Sequence, residues 1–246
     1  MKHQGRNDFT LRLFEAAEIR EGMRVLEVGC ATGEVTQLLS EIVGPTGEVV
    51  GVDVNEQLLE MAKTNNNADN IEYINSDVYQ LPDDLDQFDA IVGRRILMYL
   101  PEAKACLQNL KRFLKSGGIL CFQESDAING GTGANQLPLH QQAIQRVWDT
   151  VEAEGGDIHI GQKLYMMYLN IGIPQPQVIA EAIIQTSNDN DLQWLTEMME
   201  TRMKENDIVA QDFSIDKFKA NMAHEAEEAQ AAFIRDMAFG VWGRKD

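Results

Sequence analysis

Val25-Leu26-Glu27-Val28-Gly29-Cys30-Ala31-Thr32-Gly33-Glu34 joins an apolar run to a glycine turn, and that turn to a segment with helical spacing. The run Met23–Val28 has no polar alternation, as expected of a strand covered on both faces. Glycine lets the main chain come close to a ligand, and the first N–H groups of the following helix have no partner inside it. Outward from this unit the pattern repeats. Gly44-Pro45-Thr46-Gly47 punctuates the chain after a helix ending near Val43. A second strand, Val49–Val54, leads into a helix from about Glu56. Ile71–Asn75 and Phe88–Val92 read as third and fourth strands, and a helix begins at Pro101-Glu102. Gly117-Gly118 turn the chain into a fifth strand, Ile119–Gln123. Upstream, Asp8–Ile19 reads as an amphipathic helix with Leu11, Phe14 and Ala17 on one face. Strands alternating with helices define an α/β class, a doubly wound and mostly parallel sheet.

After Glu124 the pattern changes. Residues 125–176 exceed what one crossover helix requires, with helices expected at Leu139–Glu152 and Gly161–Asn170. Val178–Thr186 reads as a sixth strand and Ala232–Trp242 as the last, separated by a polar, Met-rich helical stretch. The expected organisation is a core over 1–124, a helical cap insertion over 125–176, and the last two strands over 177–246. The final segment carries its own helical insertion at 187–231.

The chain has 246 residues, 44% of them hydrophobic, enough for one elaborated core. With 21 Lys+Arg against 39 Asp+Glu its formal net charge is −18. Such a surface repels phosphate backbones and anionic membranes, which argues against nucleic-acid and membrane partners. No stretch approaches the ~20 apolar residues of a membrane span. Cys30, Cys106 and Cys121 lack paired spacing, and the N-terminal residues form no apolar leader. Both features point to a cytoplasmic protein.

Asp53 stands 20 positions after Gly33, at the end of the second strand. A carboxylate there can accept the hydroxyl hydrogens of a ribose. Asp77, closing the third strand, could meet an adenine amino group. A dinucleotide would require G-x-G-x-x-G, whereas Gly29, Ala31 and Gly33 form a G-x-A-x-G frame better suited to a nucleoside without pyrophosphate. No His, Asp or Glu group has metal-ligand spacing.

Five stretches in this order resemble the class I S-adenosylmethionine-dependent methyltransferases. They are Leu26–Gly33, Gly51-Val52-Asp53, Ser76-Asp77-Val78, Phe88–Arg94 and Leu114–Gly118. The resemblance implies a seven-stranded sheet whose last strand runs antiparallel between the fifth and sixth. It also implies S-adenosyl-L-methionine as cofactor. Glu27, Gly29, Ala31, Thr32 and Gly33 would line its methionine part, and Asp53, with Val54 beside it, its ribose. Leu58, Ser76, Asp77 and Val78 would border the adenine, and Gly93 and Arg94 the sulfonium end. Ala31 departs from the family, which usually has glycine there.

On that topology the helical insertions would roof the cofactor and shape an acceptor pocket. Gly155–Leu164 resembles a stretch of bacterial small-molecule members, so a small-molecule acceptor is expected, on a monomer or homodimer. The alternatives are a nucleic-acid or protein methyltransferase, or a non-catalytic cofactor-binding protein. Where the acceptor must lose a proton, His140 and His159, both in the expected cap, are the catalytic candidates.

Overall fold

The structure, a computed structural model, describes residues 4–128 and 136–246. Residues 129–135 of the expected cap lie outside the described residues. Seven strands form one sheet in the order β3-β2-β1-β4-β5-β7-β6. In chain order they are β1 (Arg24–Val28), β2 (Glu48–Asp53), β3 (Ile71–Asn75), β4 (Phe88–Arg94), β5 (Leu114–Asp126), β6 (Gln177–Thr186) and β7 (Ala232–Arg244). The sheet is mixed, its early strands parallel and β7 antiparallel. Val25 pairs with Val49 on one side and Ala90 on the other, so β1 is flanked by parallel neighbours on both edges. Its residues 25–28 are all buried, which explains the absence of polar alternation.

The chain divides into two compact units. The first comprises Met1–Glu124, Gly161–Ile179 and Phe239–Asp246; the second comprises Ser125–Ile160 and Ala180–Ala238. In the first unit α1 (Gln4–Ala16) precedes β1, and α2 (Glu34–Val43) follows it. α3 (Glu56–Asn65) and α4 (Ala103–Leu110) complete the crossovers, and most of the later α6 (Ile160–Asn170) clusters with the same unit.

On α2, Val35, Thr36, Leu39, Ser40 and Val43 are buried, a stripe at helical spacing that faces the sheet. α1 buries Phe9, Leu13 and Phe14, and Ala17 is buried just past its end, whereas Leu11 is exposed. The apolar face expected from Leu11 is thus rotated, because Phe9 and Leu13 provide the i, i+4 spacing. β5 starts earlier than expected and includes Gly117-Gly118. There Gly117 N–H donates to the Lys245 carbonyl at 2.8 Å, and Lys245 N–H returns a bond to Gly118 at 2.9 Å. These pairings with the chain after β7 carry the extra residues. Helix α4 begins two positions after Pro101, which stands in a turn.

The second unit contains α5 (Pro138–Ala153), α7 (Leu192–Glu205) and α8 (Ile215–Ala229). Arg146 of α5 is sandwiched between the rings of Phe213 and Phe218, its guanidinium carbon 4.8 and 4.6 Å from their centroids. Buried Arg235 is balanced by Asp236 at 2.5 Å and Asp191 at 3.1 Å. Removing one partner of such a cluster would leave an uncompensated buried charge.

Candidate cofactor site

The turn after β1 is built from left-handed backbone. Gly29 has φ 71°, Ala31 φ 46° and Gly33 φ 80°. Gly33 stands at the N-terminus of α2 and, having no side chain, supplies no capping hydrogen bond to it. Gly33 is required for packing as well as conformation. A Cβ there would lie 2.4 Å from Asn66 Nδ2 and 2.5 Å from the Tyr73 hydroxyl. At Gly29 a Cβ would meet Ile96 at 2.9 Å.

Asp53 ends β2 and joins two turns. Its Oδ2 accepts the Ala31 N–H at 2.9 Å and its Oδ1 accepts the Asn55 N–H at 2.9 Å. Asn55 in turn caps α3 by accepting from Leu58 N–H at 3.2 Å. Asn75 Nδ2 donates to the carbonyls of Asp53 and Val54 at 3.1 and 3.0 Å. Asp77 Oδ1 accepts the Tyr79 N–H at 2.9 Å.

Beside these carboxylates opens a cavity of about 210 Å³. Of the expected cofactor residues, Gly29, Asp53, Val54, Ser76, Asp77 and Val78 line it. Val52, from the Gly51-Val52-Asp53 stretch, completes its wall together with Tyr79, Ile96 and Leu100, which belong to none of the five stretches. Ile96 and Leu100 follow the β4 strand end, the position where ligands of open α/β sheets collect, and that rule is the signal by which they could have been found.

The remaining expected residues stand away from the cavity lining. Ala31, Thr32 and Gly33 form the turn, and Leu58 belongs to the first turn of α3. Glu27 is buried beneath the turn and accepts the Thr36 hydroxyl at 2.5 Å. Burial pushes its carboxyl up to about 7, despite the opposing Thr36 bond and Arg94 charge. Gly93 is pressed by neighbours, since a Cβ there would come within 2.4 Å of Phe122. Arg94 ties three elements together, bonding Glu34 at 2.5 Å and Asn7 Oδ1 at 3.0 Å.

Both catalytic candidates belong to the second unit. His140 is buried, with Nδ1 2.7 Å from Glu225 Oε2. The same carboxylate accepts the Leu139 and His140 N–H groups, capping α5 from α8. Among the described residues His140 Nε2 has no hydrogen-bond partner. His159 is half exposed, with Nδ1 3.0 Å from Asp126 Oδ1. Among the described residues no group of three or more His, Cys, Asp or Glu is arranged to hold a metal ion. No described helix is long and apolar enough to cross a membrane.

The site fits S-adenosylmethionine by its own chemistry. The cavity edge offers a carboxylate able to accept hydroxyl groups, an apolar wall that suits a flat base, and a glycine turn that leads into α2. The model of the family described as "Methyltransferase domain" matches residues 19–230. The chain belongs to that family, within the class I S-adenosylmethionine-dependent fold, and S-adenosylmethionine is its cofactor.

Demethylmenaquinone methyltransferase of Staphylococcus aureus is 34% identical over 116 residues, 46% of this chain and 48% of that protein. The match thus spans about half the length of the curated relatives. The YcgJ protein of Bacillus subtilis superposes with a TM-score of 0.62 at 18% identity, covering 97% of this chain and 98% of that one. Phosphoethanolamine N-methyltransferase 2 of Haemonchus contortus, solved with S-adenosyl-L-methionine, gives a TM-score of 0.59 at 15% identity. It covers 98% of this chain and 53% of that one. At these identities the two structures speak to the fold.

Proposed function

We propose that the protein transfers the methyl group of S-adenosylmethionine to a small-molecule acceptor in the cytoplasm. The observation that carries this reading is Asp53 at the edge of the 210 Å³ cavity, bound to the glycine turn through Ala31. The bound cofactor supplies a methyl group on a positively charged sulfur, ready for in-line displacement. The protein's task is then to orient and to exclude water. Asp53 accepts the ribose hydroxyls, Asp77 meets the adenine, and Val52, Val54, Val78, Ile96 and Leu100 provide a dry wall. Orientation of this kind contributes about 7–11 kcal/mol in well-aligned systems.

Two features support a small acceptor. The net charge of −18 opposes a nucleic-acid substrate, and the curated relatives are named for a quinone. The helical segments after β5 and between β6 and β7 are assigned acceptor selection, because both follow from carboxyl ends of sheet strands. Where the acceptor carries a proton, His140 Nε2 is assigned to take it, with Glu225 fixing the ring through Nδ1. His159 serves as the second candidate, exposed and held by Asp126. Three buried free thiols support a reducing compartment.

The test is S-adenosylhomocysteine formation from S-adenosylmethionine with the dialysable and the retained fractions of a bacterial extract. Turnover with the dialysable fraction is expected. Turnover confined to the retained fraction assigns a macromolecular acceptor and overturns the proposal; turnover with neither favours a non-catalytic cofactor-binding protein.

A further inference from the structure

Glu124 is the last residue of the first unit's opening segment and is fully buried. Its Oε1 accepts the backbone N–H groups of Ile96 at 3.1 Å and Leu97 at 2.8 Å, and the Met98 amide also donates to the carboxylate. These are consecutive amides where the chain leaves β4 and enters a short 3₁₀ helix, Leu97–Tyr99. That helix has no side-chain cap from its own N-terminus. A carboxylate from the end of the neighbouring strand takes the role instead.

The same strand end fixes the preceding residue. Arg95 adopts a left-handed φ of 57°, and its N–H donates to the Gln123 carbonyl at 2.8 Å. Ile96 and Leu100, which bracket the capped helix, both line the cofactor cavity. The Ile96 side chain also fills the space above Gly29 and Gly93. Any displacement of the capped turn would therefore move the cavity wall.

We propose that Glu124 is a positioning residue for the cofactor site, holding the exit of β4 so that Ile96 and Leu100 stand against the nucleoside. The inference rests on the assignment of the cavity to S-adenosylmethionine. Burying a carboxylate here is costly: its Oε2 lacks a hydrogen-bond partner among the described residues, and desolvation raises the carboxyl to about 7 against the three amides and Arg95. An apolar residue would fill the volume without that cost, but it would leave the amides of residues 96–98 without their acceptor.

Calorimetric titration with S-adenosylhomocysteine compares the wild type, Glu124→Gln, Glu124→Asp and Ile96→Ala, with thermal unfolding recorded for each. Gln keeps the acceptor oxygen in place, so its affinity should stay within about threefold of wild type. Asp is one methylene short of the amides, so its binding should weaken by about tenfold or more while unfolding remains cooperative. Ile96→Ala removes the wall without touching the carboxylate and should show a comparable loss, which keeps the test decisive if Glu124→Asp does not fold. Equal affinity of Gln and Asp variants, or no loss in Ile96→Ala, overturns the proposal. Failure of the wild type to bind would instead overturn the cofactor reading on which it rests.

Discussion

Asp53 Oδ2 accepts the backbone N–H of Ala31 at 2.9 Å, 22 residues back along the chain. One carboxylate thereby holds the turn after β1 while its other oxygen holds the start of α3 through Asn55. An ionised carboxylate offers about four acceptor positions, so two remain for ribose hydroxyls. Asp53→Ala should weaken S-adenosylhomocysteine binding by about tenfold to a hundredfold, the range for losing bonds to a charged group. Asp53→Asn should fall between. Calorimetry reads both, and an unchanged affinity in Asp53→Ala would remove Asp53 from the ribose site.

Ala31 adopts φ 46°, a conformation that costs a residue with a Cβ about 1–2 kcal/mol. Glycine relieves that strain but adds freedom to the unfolded chain. Ala31→Gly should therefore be neutral to stabilising, by up to about 1 kcal/mol, with cofactor binding retained. Ala31→Val should destabilise, since β-branching is worse tolerated at positive φ. Urea unfolding of the two variants distinguishes this account from one in which residue 31 is unstrained.

Gly93 stands where a Cβ would come 2.4 Å from Phe122 and 2.9 Å from Ile96. Gly93→Ala should cost about 1–3 kcal/mol of stability as those side chains are forced aside. Because Ile96 lines the cavity, cofactor affinity should drop as well. A variant with wild-type melting temperature and affinity would show that the β4 exit tolerates movement.

Glu27 and Glu124 both have carboxyls raised to about 7 from an ordinary 4.5. Each binds more protons in the folded state than in the unfolded one. The stabilisation is complete below the ordinary value and is lost as pH rises through about 7. Each group contributes a slope of up to about 1.4 kcal/mol per pH unit within that window. Glu27→Gln cannot ionise and can still accept the Thr36 hydroxyl. Its stability relative to wild type should climb between about pH 5 and pH 8 and then level off. Parallel urea-unfolding profiles for the two proteins over that range would contradict the assignment.

His140→Gln removes the imidazole while Glu225 keeps the two backbone donors at the start of α5. If His140 takes the acceptor's proton, kcat should fall by about a hundredfold or more, with S-adenosylhomocysteine affinity unchanged. An unaltered kcat across the pH profile would exclude that role.

Much of the cofactor half could be read from the chain because it is local. The turn from Gly29 to Gly33 and the strand-end residues Asp53 and Asp77 each reveal themselves by position relative to a predicted strand. The cavity wall at Ile96 and Leu100 is different. Their place depends on the capping of the β4 exit by Glu124, a contact between residues 27 positions apart that no periodicity records. Arg94 illustrates the converse. The family pattern assigns it to the sulfonium end, whereas its guanidinium is taken up by Glu34 and Asn7. The rotated face of α1 has a similar origin, since Leu11 is as apolar as Leu13 and only packing against the sheet selects between them.

Cys30, Cys106 and Cys121 are all buried, and all three belong to the first unit. Burial raises each thiol, Cys106 to about 12, so little thiolate is present in the native state for an alkylating reagent to attack. The chain thus carries a built-in clock for one of its two units. Labelling of these sulfurs followed by mass spectrometry times the opening of the first unit and stays blind to events confined to the other. Added S-adenosylmethionine should lengthen that clock by a factor that grows as one plus the ratio of its free concentration to its Kd.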